Sequence, residues 1–291
     1  MKCLKVKPIP VPKHIMHPPP PNDVLPKHEF TMGIIAPKGA GKTTTICNLL
    51  MFYKKYFHNI LVFSPTVASD EKWDYVKELE LLSQNEPLQK WVKVNSKDEN
   101  KVVGSLKRDG VFDGLVNPYN EDFDGKIPEE CFIDIYDEST LEKIMDEQMN
   151  IVKLLKKHGG TKFLANRILI IFDDLVGSSL FSGTRNNPFK GLNTRHRHYS
   201  CSMLMVSQGY KEIPKTVRTN WSCLMIFEIP NEKELEVIYE EFPMGLKKDQ
   251  WMEAYKFATD GDHDFMFMNY QKEKRLRLMK NFDQLIFYKK E

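Results

Sequence analysis

The segment Ala36-Pro37-Lys38-Gly39-Ala40-Gly41-Lys42-Thr43 constrains this chain more than any other. An apolar stretch, Phe30–Ala36, runs into it. A helical pattern over Lys42–Phe57, with Ile46, Leu49, Leu50 and Tyr53 on one face, runs out of it. Strand, glycine-containing loop and helix in that order is the setting in which such spacing forms a phosphate loop. Gly39 and Gly41 let the backbone curl so that its N–H groups converge on phosphate oxygens. The partial positive charge of the helix start falls at the same point. The motif therefore assigns nucleotide contact to Ala36, Pro37, Lys38, Gly39, Ala40, Gly41, Lys42, Thr43 and Thr44. Lys42 reaches the β- and γ-phosphates and the Thr43 hydroxyl ligates Mg2+. ATP and Mg2+ are the cofactors this implies. Ala36 stands where the motif usually begins with glycine, and a small residue is adequate there.

The rest of the chain supplies the sheet that such a loop needs. Asn59–Phe63, Arg167–Phe172, Cys201–Val206 and Leu224–Ile229 are short apolar runs of the kind found in buried parallel strands. Asp264–Asn269 reads as a last strand. Helices are expected over Asp70–Leu82, over residues 137–158, where Leu141, Ile144, Met145, Gln148, Val152 and Leu155 share a side, and over Asn231–Glu241. Residues 95–130 read as an irregular insertion and 188–198 as a polar, basic connection. The alternation predicts an α/β fold with a mostly parallel central sheet and helices on both faces. Residues 1–28 hold eight of the 17 prolines and five lysines, so an extended N-terminal arm, flexible or hugging the surface, is expected there.

Chemistry concentrates at strand ends. Ile168-Leu169-Ile170-Ile171-Phe172-Asp173-Asp174 carries a carboxylate pair to the edge where ligands sit in open α/β sheets. Asp173 is expected to hold Mg2+, and Asp174 to orient or deprotonate the attacking water. Ser207-Gln208 ends the next apolar run, placing an amide where it could sense a γ-phosphate. Arg195, Arg197 and Arg218 are candidates for the arginine that neutralises charge in phosphoryl transfer, acting across a subunit boundary. Arg195 and Arg197 could equally form a basic surface facing DNA or a solvated connection. His263, between Asp262 and Asp264, reads as a surface turn rather than a metal site, and the four tryptophans as core.

The formal charge of +2 is too mild to imply nucleic acid by itself. The five cysteines are scattered without ligand spacing and read as buried reduced thiols. No stretch approaches the ~20 apolar residues of a membrane span. An intracellular protein is expected.

The order of motifs adds a resemblance. Leu25-Pro26-Lys27-His28-Glu29-Phe30 before the loop, Phe63-Ser64-Pro65-Thr66, Ile170-Ile171-Phe172-Asp173-Asp174, and Arg197-His198-Tyr199 leading through Ser207-Gln208 to Ile213-Pro214-Lys215-Thr216-Val217-Arg218 resemble the genome-packaging ATPases of large DNA viruses and virophages. These are poxvirus-type packaging ATPases, within the FtsK/HerA superfamily of P-loop NTPases. The resemblance covers roughly residues 25–229. It implies a RecA-like sheet with an additional strand between the first two motifs, assembly as a homo-oligomeric ring, and ATP-driven translocation of double-stranded DNA into a preformed capsid. Capsid or portal-vertex proteins would be partners, and the host cytoplasm or viral factory, or the virion, the location. Asp173-Asp174 departs from the Asp-Glu common in the superfamily, which bears on the identity of the base. A helicase-type or segregation or conjugation ATPase, and a non-motor scaffold or kinase, are the alternatives. The domain organisation expected is a 1–28 arm, a 29–241 ATPase domain containing the 95–130 insertion, and a 242–291 extension packed on it.

Overall fold

The computed structural model describes residues 17–95, 123–181 and 187–288. Its centre is one nine-stranded sheet: β1 (Thr31–Ile35), β2 (Asn59–Phe63), β3 (Phe132–Ile133), β4 (Ile168–Asp173), β5 (Cys201–Ser207), β6 (Cys223–Ile226), β7 (Met266–Asn269), β8 (Leu278–Lys280) and β9 (Gln284–Leu285), in the order β3-β2-β4-β5-β1-β6-β7-β8-β9. The first six in that order pair in parallel. β1, β2, β4, β5 and β6 are buried at every position, which is why each reads as an unbroken apolar run. β5 lies between β1 and β4, the additional strand that the resemblance implies.

Among the described residues the helices are α1 (Lys42–Phe52), α2 (Glu71–Lys77), α3 (Glu86–Asn95), α4 (Glu138–Lys157), α5 (Pro188–Arg195), the single turn α6 (Lys215–Arg218), α7 (Glu232–Glu241) and α8 (Lys248–Ala258). Asp70, Asp137 and Asn231 begin α2, α4 and α7, each side chain accepting a backbone N–H of the first turn. Along α4 the apolar face is buried, and Gln148, fully buried among it, donates to the Asn166 carbonyl at 2.6 Å. The chain leaves β1 towards β2 and β3, then returns through β4 and β5. Right-handed crossovers put helices that follow opposite directions on opposite faces, so α1 and α2 lie on one face and α4–α5 on the other, while α3 brings Trp91 against Gly160 at the end of α4. In keeping with this, α1 packs on α2 and α4 on α5. The connections after β1 and β5 therefore diverge, opening a crevice between these neighbours at the C-terminal edge of the sheet.

Several expectations change. The first helix ends at Phe52, not at Phe57. Residues 188–198 are not a plain connection: Asn187 caps α5, which buries Phe189 and Leu192, and a 3-10 turn follows. Asp264–Asn269 is not the last strand; β7 runs antiparallel to β6, and β8 and β9 continue the meander. Helix α3 was not expected. Most of the 95–130 insertion lies outside the described residues, as do residues 1–16 of the arm. The arm's residues 17–28 lie along the sheet's N-terminal edge, where Tyr56 and Tyr53 donate to the carbonyls of Pro18 and Pro26. Trp73, Trp221 and Trp251 are buried and Trp91 packs on the core. Cys47, Cys131, Cys201 and Cys223 are buried, with burial raising Cys47 to about 11 and Cys131 and Cys223 to about 12. Among the described residues no helix is long and apolar enough to cross a membrane.

Candidate active site

Gly39 and Gly41 adopt φ of 85° and 92°, the left-handed region that glycine enters without a Cβ penalty. Gly41 is also the residue that begins α1. The loop is tied to the sheet by the Ala36 N–H, which donates to the Ser207 carbonyl at 3.0 Å, and is closed by Ala40 N–H to the Pro37 carbonyl at 3.1 Å. Ala36 is buried, Lys38 and Gly39 project outward, and Thr43 lies half-buried beside exposed Thr44 on the first turn of α1.

Because β1, β4 and β5 are parallel, their C-terminal ends meet at one edge. Lys42 Nζ stands there between two carboxylates, 3.4 Å from Asp173 Oδ1 and 3.5 Å from Asp174 Oδ2. Asp173 is 1% exposed. Its Oδ2 accepts a 2.9 Å hydrogen bond from Ser64 Oγ, and Ser64 in turn lies 3.0 Å from Thr66 Oγ1. Its Oδ1 is buried and receives no hydrogen bond, the Lys42 contact being a looser ion pair. Burial pushes the Asp173 carboxyl above its usual range, against the pull of Lys42 and the Ser64 hydrogen bond. A buried carboxylate oxygen with no hydrogen-bond donor suits a divalent cation. Among the described residues no three His, Cys, Asp or Glu side chains group to hold a metal. Mg2+ needs only one or two protein oxygens, with substrate phosphates completing its shell, and Asp173 Oδ1 fits that role.

Asp174 follows with φ 53°, its N–H bonded to the Val206 carbonyl. This turn aims its carboxylate along the edge, where Gln208 Nε2 donates to both oxygens, at 3.2 and 3.4 Å. Gln208 is itself held by its neighbours: Glu212 accepts from Ser207 Oγ at 2.6 Å and from the Gly209 N–H at 2.9 Å. Lys42, Asp173, Asp174 and Gln208, separated by up to 166 positions in sequence, thus converge at the β1–β5 crevice.

The family model described as "Poxvirus A32 protein" matches residues 111–263, just over half of the chain. The chain belongs to the poxvirus A32 protein family. The matched span holds Asp173, Asp174, Gln208 and all three candidate arginines and begins after the phosphate loop. The chain is also similar to uncharacterized protein 075L of Invertebrate iridescent virus 6, 27% identical over 168 residues, a match spanning 56% of this chain and 62% of that relative's length. Among solved structures it is similar to the genome packaging NTPase B204 of Sulfolobus turreted icosahedral virus 2, solved in complex with AMP. The TM-score is 0.50 at 10% identity, covering 87% of this chain and 96% of that one. This likeness bears on the fold, the mostly parallel α/β sheet of a P-loop NTPase.

The three arginines separate. Arg218 Nη2 pairs with Glu241 Oε1 at 2.9 Å and Nε with Oε2 at 3.2 Å, while Nη1 donates to the Tyr210 carbonyl at 2.9 Å. The guanidinium also lies 4.3 Å over the Tyr210 ring and is 6% exposed. So engaged, it is a strut between α6 and α7 rather than a group free to reach another subunit. Arg195 and Arg197 are exposed and precede β5. They sit at the sheet's other edge, about 20 Å from Gln208 by the length of a seven-residue strand. Neither meets its own chain's phosphate loop.

Two residues at the site were not anticipated. Ser64 was legible only as part of Ser64-Pro65-Thr66; its role arises because β2 pairs with β4 in the register Phe63↔Phe172, setting it beside Asp173. His263, read as a surface turn, is exposed in a turn, yet its ring lies against Gly41.

Proposed function

We propose that this chain is an ATP-hydrolysing motor that moves double-stranded viral DNA into a preformed capsid. The observation that carries the reading is Lys42 poised between Asp173 and Asp174, with Gln208 on Asp174, at the mouth of a glycine loop. Family membership and the NTPase fold support it.

In this reading backbone N–H groups of the loop and of the first turn of α1, those of Lys38, Gly39, Gly41, Lys42, Thr43 and Thr44, bind the phosphates, and the Lys42 ammonium turns from the carboxylates to the β- and γ-phosphates as ATP enters. Mg2+, held by Asp173 and Thr43, would neutralise charge on the β- and γ-phosphate oxygens when bound. Ser64 fixes the Asp173 carboxylate so that Oδ1 faces the site. Gln208 spends its amide N–H on Asp174, which leaves its carbonyl to accept from a water. That water hydrogen-bonds Asp174, which takes its proton as it attacks the γ-phosphorus and the bond to ADP breaks. Aspartate is one methylene shorter than the glutamate common in the superfamily, and the left-handed turn at Asp174 together with Gln208 places it. Charge on the moving phosphoryl group is met by Arg195 or Arg197 of a neighbour in a homo-oligomeric ring. Residues 29–241 form the ATPase unit and 242–291 an extension whose strands β7–β9 continue its sheet, with the proline-rich 1–28 arm as a contact for partners. Capsid or portal-vertex proteins would be those partners, in the intracellular setting of viral assembly.

The experiment is ATP hydrolysis with and without long duplex DNA, alongside strand displacement on tailed DNA. Duplex-stimulated turnover without unwinding supports the packaging reading. ATP binding without turnover under either condition would point to a scaffold, and unwinding to a helicase.

A further inference from the structure

His263 stands beside the phosphate loop on the side away from Asp173 and Asp174. A Cβ placed on Gly41 would lie 3.3 Å from His263 Nδ1, so the ring fills the space that a larger residue at position 41 would need. The loop reaches this edge because β7 is antiparallel to β6: Met266 pairs with Ile226, so the chain entering β7 lies where β1 and β6 end. The loop is also built. Asp264 accepts from Lys280 at 2.7 Å and from Asn281 Nδ2 at 2.9 Å, and its N–H donates to the Gly261 carbonyl at 3.1 Å. Asn281 Oδ1 accepts from the Phe265 N–H at 3.1 Å, and Asp260 pairs with the same Lys280. Between these ties His263 is held at φ 67° with its side chain exposed.

The direction of a bound nucleotide follows from the strand order. Asp173, Asp174 and Gln208 come from β4 and β5, on one side of β1; β6 and β7 lie on the other. A triphosphate lying along the loop with its γ-phosphate at Lys42 and the carboxylates sends its nucleoside towards β6 and β7, where His263 stands. We propose that the His263 ring packs against the nucleoside of the bound nucleotide, supplying binding energy and taking no part in phosphate cleavage. This rests on the nucleotide-site reading above.

The test measures displacement of a fluorescent ATP analogue by ATP and by inorganic tripolyphosphate, which lacks the nucleoside, for the wild type, His263→Ala, His263→Phe and Lys42→Ala. The expected result is ATP affinity lowered roughly fivefold or more in His263→Ala, the low end of base–aromatic stacking. Tripolyphosphate affinity stays unchanged, and the phenylalanine variant recovers most of the loss. ATP affinity equal to wild type in His263→Ala, while Lys42→Ala loses binding, overturns this inference alone. An equal loss of both ligands in His263→Ala overturns it by moving the contact to the phosphates. A wild type that binds neither ligand, or a Lys42→Ala variant that binds both normally, overturns the nucleotide site and this inference with it.

Discussion

Ser64 Oγ holds Asp173 Oδ2 at 2.9 Å in a pocket closed to solvent, which leaves Oδ1 as the only oxygen of that carboxylate turned to the Lys42 side. The serine fixes the rotamer of the residue proposed to meet Mg2+ and favours its charged form against burial. A hydrogen bond to a charged group contributes about 1.5–3 kcal/mol. Ser64→Ala should therefore raise the Mg2+ concentration needed for half-maximal hydrolysis about tenfold or more, with the ATP-binding step in EDTA unaffected. A Mg2+ titration of the two proteins decides it; superimposable curves would remove Ser64 from the account.

Arg218 and Glu241 make a prediction of the opposite kind. Removing one partner leaves the other charge buried and unpaired, at a cost of about 3–5 kcal/mol. Arg218→Ala should lower stability to chemical denaturation by that order, and Arg218→Ala combined with Glu241→Gln should recover part of it. A stable Arg218→Ala protein that has lost hydrolysis would restore Arg218 as a catalytic candidate.

Arg195 and Arg197 should behave as neither. They are exposed, so alanine at either site should leave stability within about 0.5 kcal/mol. If one acts in trans, its alanine variant loses about a thousandfold in hydrolysis. Mixing that variant with Lys42→Ala protein should then restore turnover, because some interfaces combine an intact loop with an intact arginine. Mixtures no more active than their components would place the arginine elsewhere.

How much of this was legible in the residues depends on how local each cause is. β1, β2, β4 and β5 announce themselves because a strand buried on both faces is apolar at every position, and the phosphate loop is a contiguous motif. The antiparallel strands β8 and β9 have three and two residues, too short for alternation to register. Helix α5 buries few apolar side chains in a polar stretch, and its readable signal is Asn187-Pro188 at the start. Arg218 sits where the family's wording suggests an active arginine, but its partner Glu241 is 23 positions away on another helix. Ser64 and His263 acquire their positions only from strand pairing. By contrast, two phrases that carry the resemblance explain each other in three dimensions. Buried His28 bonds Ser202 Oγ at 2.8 Å and Ser200 Oγ at 3.2 Å, and the Glu29 carbonyl lies 3.2 Å from His196 Nε2. The lead-in before the loop and the segment before β5 are one packed cluster at the edge opposite the site.

That cluster sets a pH dependence. Burial is the largest cause lowering His28, His58 and His196, and for His28 the neighbouring His17, Arg167 and His58 lower it further, against a raising contact with Ser200. Each histidine takes up a proton near its ordinary pKa of about 6.5 when unfolded but resists protonation when folded. Stability is therefore full above about pH 6.5 and declines as pH falls from there through the folded values, by up to about 1.4 kcal/mol per pH unit for each histidine. Thermal melts between pH 7.5 and 5 should show a falling Tm; a flat or rising Tm would contradict this packing.

The central claim is that Lys42, Asp173 and Asp174 form one hydrolytic centre. Phosphate release from ATP in the presence of Mg2+, compared between the wild type and Lys42→Ala under the same assembly conditions, tests it most directly. The account predicts steady turnover in the wild type and its loss to background in the variant. Turnover that persists unchanged in Lys42→Ala would contradict it.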